Sequence, residues 1–250
     1  MRQTIIMGNW KMHGSVTMCQ QWVEAFLPKF SRDADCVIFL PAVYVPVLSS
    51  LLQDSGIAVG LQDISVHASG AYTGEISAEM ALDSGAKYTL VGHSERRQYH
   101  QESDGLVADK AAYAISVGLL PVMCIGETLA EREAEQTQAV VESQLQACLD
   151  KLTPEQLVHC VIAYEPVWAI GTSLTATPEQ AQEVHAGIRK HIAAWSASAA
   201  EQTRIVYGGS VKPNNAATLF AQPDIDGGLV GGASLTPDDF LGIVRGLCTD

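Results

Sequence analysis

Cys160-Val161-Ile162-Ala163-Tyr164-Glu165-Pro166 is a short apolar run that ends in a carboxylate and a proline, and Thr177-Pro178-Glu179-Gln180-Ala181 follows a connection rich in small residues. The run shows no polar alternation, as expected of a parallel strand covered on both faces. Thr177 is placed to cap a helix, with Pro178 at its first position and Gln180 completing a capping box. Ala181, Val184, Ile188, Ile192 and Trp195 then recur on one face of a helix of about five turns. The unit is strand, connection, helix.

The same unit extends in both directions. Runs of the same kind stand at Thr4 to Gly8, Cys36 to Leu40, Ile57 to Leu61, Tyr88 to Gly92, Pro121 to Ile125, Cys160 to Tyr164, Arg204 to Tyr207 and Gly228 to Val230. Leu106, Val107, Ala111, Ala114 and Val117 give a helical face after the fourth, and Thr236-Pro237-Asp238-Asp239 opens the last helix. Eight such units in 250 residues, with no linker or low-complexity stretch, predict one closed (β/α)8 barrel over 1–250. A doubly wound sheet is the alternative. It usually carries a Gly-rich loop after its first strand, and Gly8-Asn9-Trp10-Lys11-Met12-His13-Gly14 contains no G-x-G-x-x-G.

Composition narrows the function classes. Hydrophobic residues make up 47% and charged residues 17%, and no apolar run approaches the roughly 18 residues that cross a bilayer, so no membrane role is expected. The run from Thr4 to Gly8 is too short for a signal-peptide apolar region. Cysteines at 19, 36, 124, 148, 160 and 248 form no CxxC pair and no zinc-like spacing with histidine, which predicts reduced thiols, a cytoplasmic protein and no metal. A net charge of −13 argues against a nucleic-acid partner. It leaves room for a small anionic substrate, because local cations and backbone N–H groups can hold one.

In a closed barrel the chemistry lies where the strands end. Asn9 and Lys11 follow the first run, His93-Ser94-Glu95 the fourth and Glu165-Pro166 the sixth, while Gly208-Gly209-Ser210 and Gly231-Gly232 end the last two. Taken singly each is an ordinary polar group or turn residue. Together they form a base, an imidazole, an ammonium and two glycine turns on one rim. Ser94-Glu95-Arg96-Arg97 reads as the start of a short helix, whose positive end favours a neutral imidazole at His93.

The sequence closely resembles the triosephosphate isomerase family. The resemblance runs through Gly8-Asn9-Trp10-Lys11-Met12, Val91-Gly92-His93-Ser94-Glu95-Arg96-Arg97, Ala163-Tyr164-Glu165-Pro166-Val167-Trp168-Ala169-Ile170-Gly171-Thr172, Tyr207-Gly208-Gly209-Ser210-Val211 and Gly228-Leu229-Val230-Gly231-Gly232-Ala233-Ser234-Leu235. It implies a single-domain (β/α)8 TIM barrel that interconverts D-glyceraldehyde 3-phosphate and dihydroxyacetone phosphate without a cofactor. It implies Glu165 as the base, His93 as the electrophile, and Lys11 and Asn9 as substrate-binding and charge-stabilising groups. Gly171, Ser210, Gly231 and Gly232 are then the phosphate site, with Glu95, Ser94 and Tyr207 in support. Cys124 reads as a buried packing thiol, and neither it nor Asp226 belongs to the catalytic set.

The resemblance also implies a mobile lid at 166–176, hinged at Pro166-Val167-Trp168 and latched by Tyr207 and Ser210. Ser173-Leu174 departs from the Gly-Lys of many relatives, which bears on lid kinetics. Residues 62–79, with Gly70, Tyr72, Thr73 and Gly74 at the centre, are too long for an ordinary connection. The family uses such a loop as a finger inserted into a twin subunit, so a homodimer is expected with Thr73 near the partner's Lys11. A phosphoribosyl isomerase or a synthase on the same barrel would share the last glycine turns but not the Asn9, Lys11, His93 and Glu165 set. A barrel kept only for binding would have lost one of Lys11, His93 or Glu165. Gly105, early in a predicted helix, weakens that helix.

Overall fold

Short apolar strands can bury both faces only if something covers each of them, and in this protein each strand has side chains inside a barrel and helices outside it. The computed structural model describes residues 2–31, 34–172 and 174–247. The strands are β1 (Ile5–Asn9), β2 (Asp35–Leu40), β3 (Ile57–Leu61), β4 (Tyr88–Val91), β5 (Leu120–Ile125), β6 (Val161–Tyr164), β7 (Arg204–Tyr207) and β8 (Gly227–Val230). They pair in chain order, all parallel, and β8 closes on β1 with Ile5 opposite Gly227. This is the (β/α)8 barrel.

The two-residue period of a strand divides the core. Ile5, Met7, Val37, Phe39, Leu90 and Val206 point inward and fill the barrel. Their neighbours Ile6, Ile38, Val91 and Ile205 point outward beneath the helices. Several strand ends differ from the sequence reading by one residue. Asn9 is the last residue of β1, paired with Phe39, and does not follow the strand. Gly92 and Cys160 fall outside β4 and β6, whereas Gly227 belongs to β8. The ladder runs as far as a neighbouring backbone is there to pair, which hydrophobicity does not record.

Thr177 and Gln180 form the expected capping box, and the helix Pro178–Trp195 buries Ala181, Val184, Ile188 and Ile192. After β4 the chain makes two helices, Ser94–His100 and Asp104–Ser116, separated by Gln101 in the left-handed region at φ 56°. Val107, Ala111 and Ala114 are buried as the spacing predicts, while Val117 follows the last turn. The same face also buries Lys110, which the apolar pattern did not reveal.

Lys110 Nζ lies 2.6 Å from carboxylate oxygens of both Asp63 and Glu102, and Arg96 reaches the same two carboxylates at 2.9 and 2.6 Å. Burial raises the Asp63 carboxyl against the pull of Lys110. At Glu102 burial acts in the same upward sense, but hydrogen bonds from Lys110 and Arg96 outweigh it and hold the carboxyl below its ordinary range. The cluster ties the start of the 62–79 segment to the helices that follow His93.

Within that segment Ser65 N–H donates to the Ile76 carbonyl at 2.8 Å, and the His67 ring stacks on Tyr72 at 3.8 Å. Ser77 caps the helix Ala78–Asp83, so the non-helical part ends at Ser77. Among the described residues no helix is long and apolar enough to cross a membrane.

Gly105 lies in the first turn of Asp104–Ser116, where an added Cβ would meet only Ser103 Oγ at 4.0 Å. Gly105→Ala is therefore expected to stabilise the fold by about 0.5–1 kcal/mol. Urea unfolding checks this as a higher midpoint with unchanged slope.

Candidate active site

Glu165 follows β6 directly, and its backbone N–H donates to the Ile125 carbonyl at 2.7 Å, which extends the β5–β6 pairing to the barrel rim. Two glycines make room for it. A Cβ on Gly126 would stand 1.7 Å from the Glu165 carbonyl oxygen, and one on Gly208 would stand 2.9 Å from its Cγ. The side chain is confined between neighbouring strand ends, and the residue is only 2% exposed. A carboxylate so buried needs hydrogen-bond donors. Oε2 accepts the Ser94 backbone N–H at 2.9 Å, and Oε1 lies 3.1 Å from His93 Nε2.

His93 caps the helix Ser94–His100, its Nδ1 accepting the Glu95 N–H at 3.2 Å. A ring nitrogen that accepts carries no proton, so the neutral imidazole has its proton on Nε2 and donates toward Glu165. The short helix thus sets the tautomer. It also supplies Glu95, whose carboxylate pairs with Lys11 Nζ.

Lys11 has left-handed backbone, φ 50°. Its N–H donates to Asn9 Oδ1 at 3.0 Å, and Gln62 Nε2 donates to the Lys11 carbonyl at 2.8 Å and to Asn9 Oδ1 at 3.1 Å. Three hydrogen bonds support a conformation that side chains otherwise disfavour. Gln62 escaped the sequence reading. Its only signal was its place at the end of β3, on the same rim.

A cavity of about 400 Å³ is lined by Asn9, Lys11, His93 and Glu165 together with Gly171, Ser210, Gly231 and Gly232. Ser94 and Glu95 stand behind the first group. Lys212, absent from the sequence reading, lines the cavity beside Ser210. Among the described residues no group of three or more His, Cys, Asp or Glu is arranged to hold a metal ion.

Glu127 is a third residue that sequence reasoning missed. It is fully buried, accepts the Tyr164 hydroxyl on both oxygens at 3.1 Å, and accepts the Trp168 indole N–H at 2.8 Å. The Arg132 guanidinium lies 4.5 Å over the Trp168 ring. The first part of the 166–176 segment is thereby fastened to the barrel, and includes a 3-10 turn, Val167–Ala169. Burial and then the Glu127 charge push the Tyr164 phenol far up. Farther along, Thr172 Oγ1 donates to the Trp168 carbonyl at 2.9 Å and accepts the Leu174 N–H at 3.1 Å. Ser173 lies outside the described residues, and Leu174 is exposed.

Tyr207 is buried behind the cavity. Burial raises its phenol to about 12, with the backbone of Ala176 acting in the opposite sense, and its hydroxyl completes no hydrogen bond among the described residues. Cys124 is an inner-barrel thiol, pushed well up by burial and then by the Glu165 charge. The five described cysteines are free and buried, and Cys248 lies outside the described residues. Asp226 bonds Arg2, Arg189 and the Ile205 N–H just before β8, at the opposite end of the barrel from Glu165.

The family profile described as triosephosphate isomerase matches residues 4–247. The chain belongs to the triosephosphate isomerase family. It is 55% identical to the triosephosphate isomerase of Cupriavidus necator over 97% of this chain and 99% of that one. The corresponding protein of Stenotrophomonas maltophilia is 54% identical over 98% of both chains, and that of Herminiimonas arsenicoxydans 51% identical over 98% and 99%.

In this family member a histidine outside the cavity also stands out. His185 is wholly buried, its Nδ1 3.2 Å from the Asp224 carbonyl and its ring edge-on to Tyr164 at 5.8 Å. Burial lowers its imidazole from 6.5 to about 3. Between those values the unfolded chain binds a proton that the folded chain refuses, so stability falls as pH drops below 6.5 toward 3. The contribution approaches about 1.4 kcal/mol per pH unit. Urea unfolding across this range is expected to show a shallower pH dependence in His185→Asn than in the wild type.

Proposed function

We propose that Glu165 is the carboxylate that carries the proton, with His93, Lys11 and Asn9 stabilising the charge, in an aldose–ketose isomerisation. The chain is an intramolecular isomerase that interconverts D-glyceraldehyde 3-phosphate and dihydroxyacetone phosphate, a reaction of glycolysis and, in reverse, of gluconeogenesis. The observation that carries the residue assignment is the 3.1 Å approach of Glu165 Oε1 to His93 Nε2 inside a cavity that Lys11 also lines.

Moving a carbonyl to the adjacent carbon means removing a weakly acidic C–H proton and holding the enediolate that results. Glu165 leaves the Ser94 N–H and takes that proton. His93 Nε2–H and Lys11 Nζ face the developing negative oxygens, and Asn9 assists from the end of β1. His93 moves a proton between the two oxygens, and Glu165 returns its own to the neighbouring carbon. No proton is gained or lost overall. Gly171, Ser210, Gly231 and Gly232 hold the phosphate through backbone N–H groups, with Lys212 close by. Residues 166–176 act as the lid over this site, with Tyr207 and Ser210 as its latch. Closure keeps water from an enediolate that can otherwise expel its phosphate.

The assembly we propose is a homodimer in the cytoplasm. Asn9, Lys11, Met12, Gln62, Glu95 and Tyr99 line a second cavity of about 280 Å³ beside the catalytic set. Met12 and Tyr99 are 93% and 70% exposed there, large apolar groups that favour cover by another chain. The finger centred on Thr73 is the natural occupant, entering near Lys11 of its twin. In a two-fold pair each finger fills the other's socket.

Glu165→Asp shortens the base by one methylene and leaves the fold in place. A coupled assay is expected to show kcat lower by about 10²-fold with unchanged thermal unfolding; wild-type turnover with no loss in the variant would sink the assignment. Thr73→Arg is expected to give monomers in sedimentation, with kcat lower by about tenfold or more as Lys11 loses its support. Monomers of full activity would contradict the coupling.

A further inference from the structure

Outside the barrel, the helices Val16–Phe26 and Pro237–Arg245 enclose a group of aromatic rings. Trp22 stacks on Phe26 at 4.3 Å, meets Trp10 edge-on at 5.6 Å and approaches Phe240 at 6.1 Å. Apolar packing accounts for the ring but not for the direction of its N–H. The indole donates at 3.0 Å to the backbone carbonyl of Ser234, in a buried contact. By contrast the equally buried indole N–H of Trp10 has no partner among the described residues, so this cluster does not itself oblige an indole to find one.

Ser234 is fully buried within the 3-10 turn Gly232–Leu235. Its N–H and its Oγ both donate to the Gly231 carbonyl, at 2.9 and 2.7 Å. Its Cβ fills the space above Gly8, where an added Cβ would stand only 2.9 Å away. Gly231, Gly232 and Ala233 of the same turn line the 400 Å³ cavity. One side chain on an outer helix therefore reaches the cavity wall through two links: Trp22 to the Ser234 carbonyl, then Ser234 to the Gly231 carbonyl.

We infer that Trp22 is a positioning residue for the phosphate end of the substrate, acting through Ser234 on the Gly231–Gly232 turn. The inference rests on reading that turn as the phosphate site. A buried carbonyl that loses its donor is strongly disfavoured, so without the indole the turn rotates until water or another donor is found. Backbone N–H groups that converge on an anion lose their common focus under such a rotation. The groups assigned to proton transfer stand at the ends of β1, β4 and β6; the Lys11 side chain passes close to Gly231, but no hydrogen bond among the described residues joins any of these groups to the turn. The effect should be confined to phosphate.

The test compares wild type with Trp22→Phe, which keeps an aromatic ring but no donor, and with Ser234→Ala, which removes the hydroxyl bond of the second link and leaves its backbone bond in place. Three quantities are measured on the full chain: kcat/KM for glyceraldehyde 3-phosphate, kcat/KM for unphosphorylated glyceraldehyde, and the inhibition constant for inorganic phosphate. In Trp22→Phe the first is expected to fall about tenfold, chiefly through KM, and phosphate inhibition to weaken by a similar factor, while the phosphate-free substrate is unaffected. Equal losses on both substrates, or an unchanged phosphate constant, would overturn the inference. If Trp22→Phe does not fold, the same selective pattern is required of Ser234→Ala. A wild type that inorganic phosphate does not inhibit removes the phosphate reading and the inference together; an inhibited wild type matched by both variants removes the inference alone.

Discussion

Closure of the sheet is the constraint on which the rest of the molecule depends. A parallel strand of four to six residues has unpaired N–H and C=O groups on both sides unless it has two neighbours, and a ring of strands is the arrangement in which none is left at an edge. Because every pairing is parallel, closure also brings all eight C-terminal ends to one rim. Asn9, His93 and Glu165, distant in the chain, become neighbours for that reason. No recognition between them is needed to assemble the site, because the backbone ladder has already done so.

The rim is also where buried charge becomes tolerable. Glu165 and His93 are almost wholly removed from water, and each answers the other's need: a carboxylate oxygen meets Nε2, and the two backbone N–H groups that open the helix Ser94–His100 go one to Oε2 and one to Nδ1. A helix start carries free N–H donors by its nature. Here they orient both proposed proton-transfer groups at once, which is why the helix begins immediately after His93 and not a turn later.

A second set of contacts links the protruding 62–77 segment to the same groups. Gln62 holds Lys11 and Asn9, and the next residue, Asp63, joins the buried Lys110 and Glu102 and the half-buried Arg96 in an ion cluster. Such clusters contribute little net stability once desolvation is counted, but breaking one leaves an uncompensated charge. Its worth lies in geometry. It fixes the base of the segment against the helices after β4, so that placement of the proposed dimer finger and placement of Lys11 are mechanically one problem.

The sequence by itself determined the repeating strand–helix unit, the barrel and the residues at its rim, because burial on both faces leaves continuous apolar runs and because capping residues such as Thr177 act within four positions of themselves. Tertiary structure alone decided Gln62 as the support of Lys11, Glu127 as the anchor of Trp168, Lys110 as a buried cation and Trp22 as the donor to Ser234. The Trp22 contact spans 212 positions and the Glu127 contact 41; the helical spacing of Cys19, Trp22, Val23 and Phe26 marks Trp22 as a buried ring, but no pattern marks the partner of either residue. A buried lysine on an apolar helix face looks like a solvated one until its carboxylates arrive from other segments. Hydrophobic pattern is a local, averaged signal, whereas a hydrogen bond is a single pair of atoms brought within reach only after the barrel has closed.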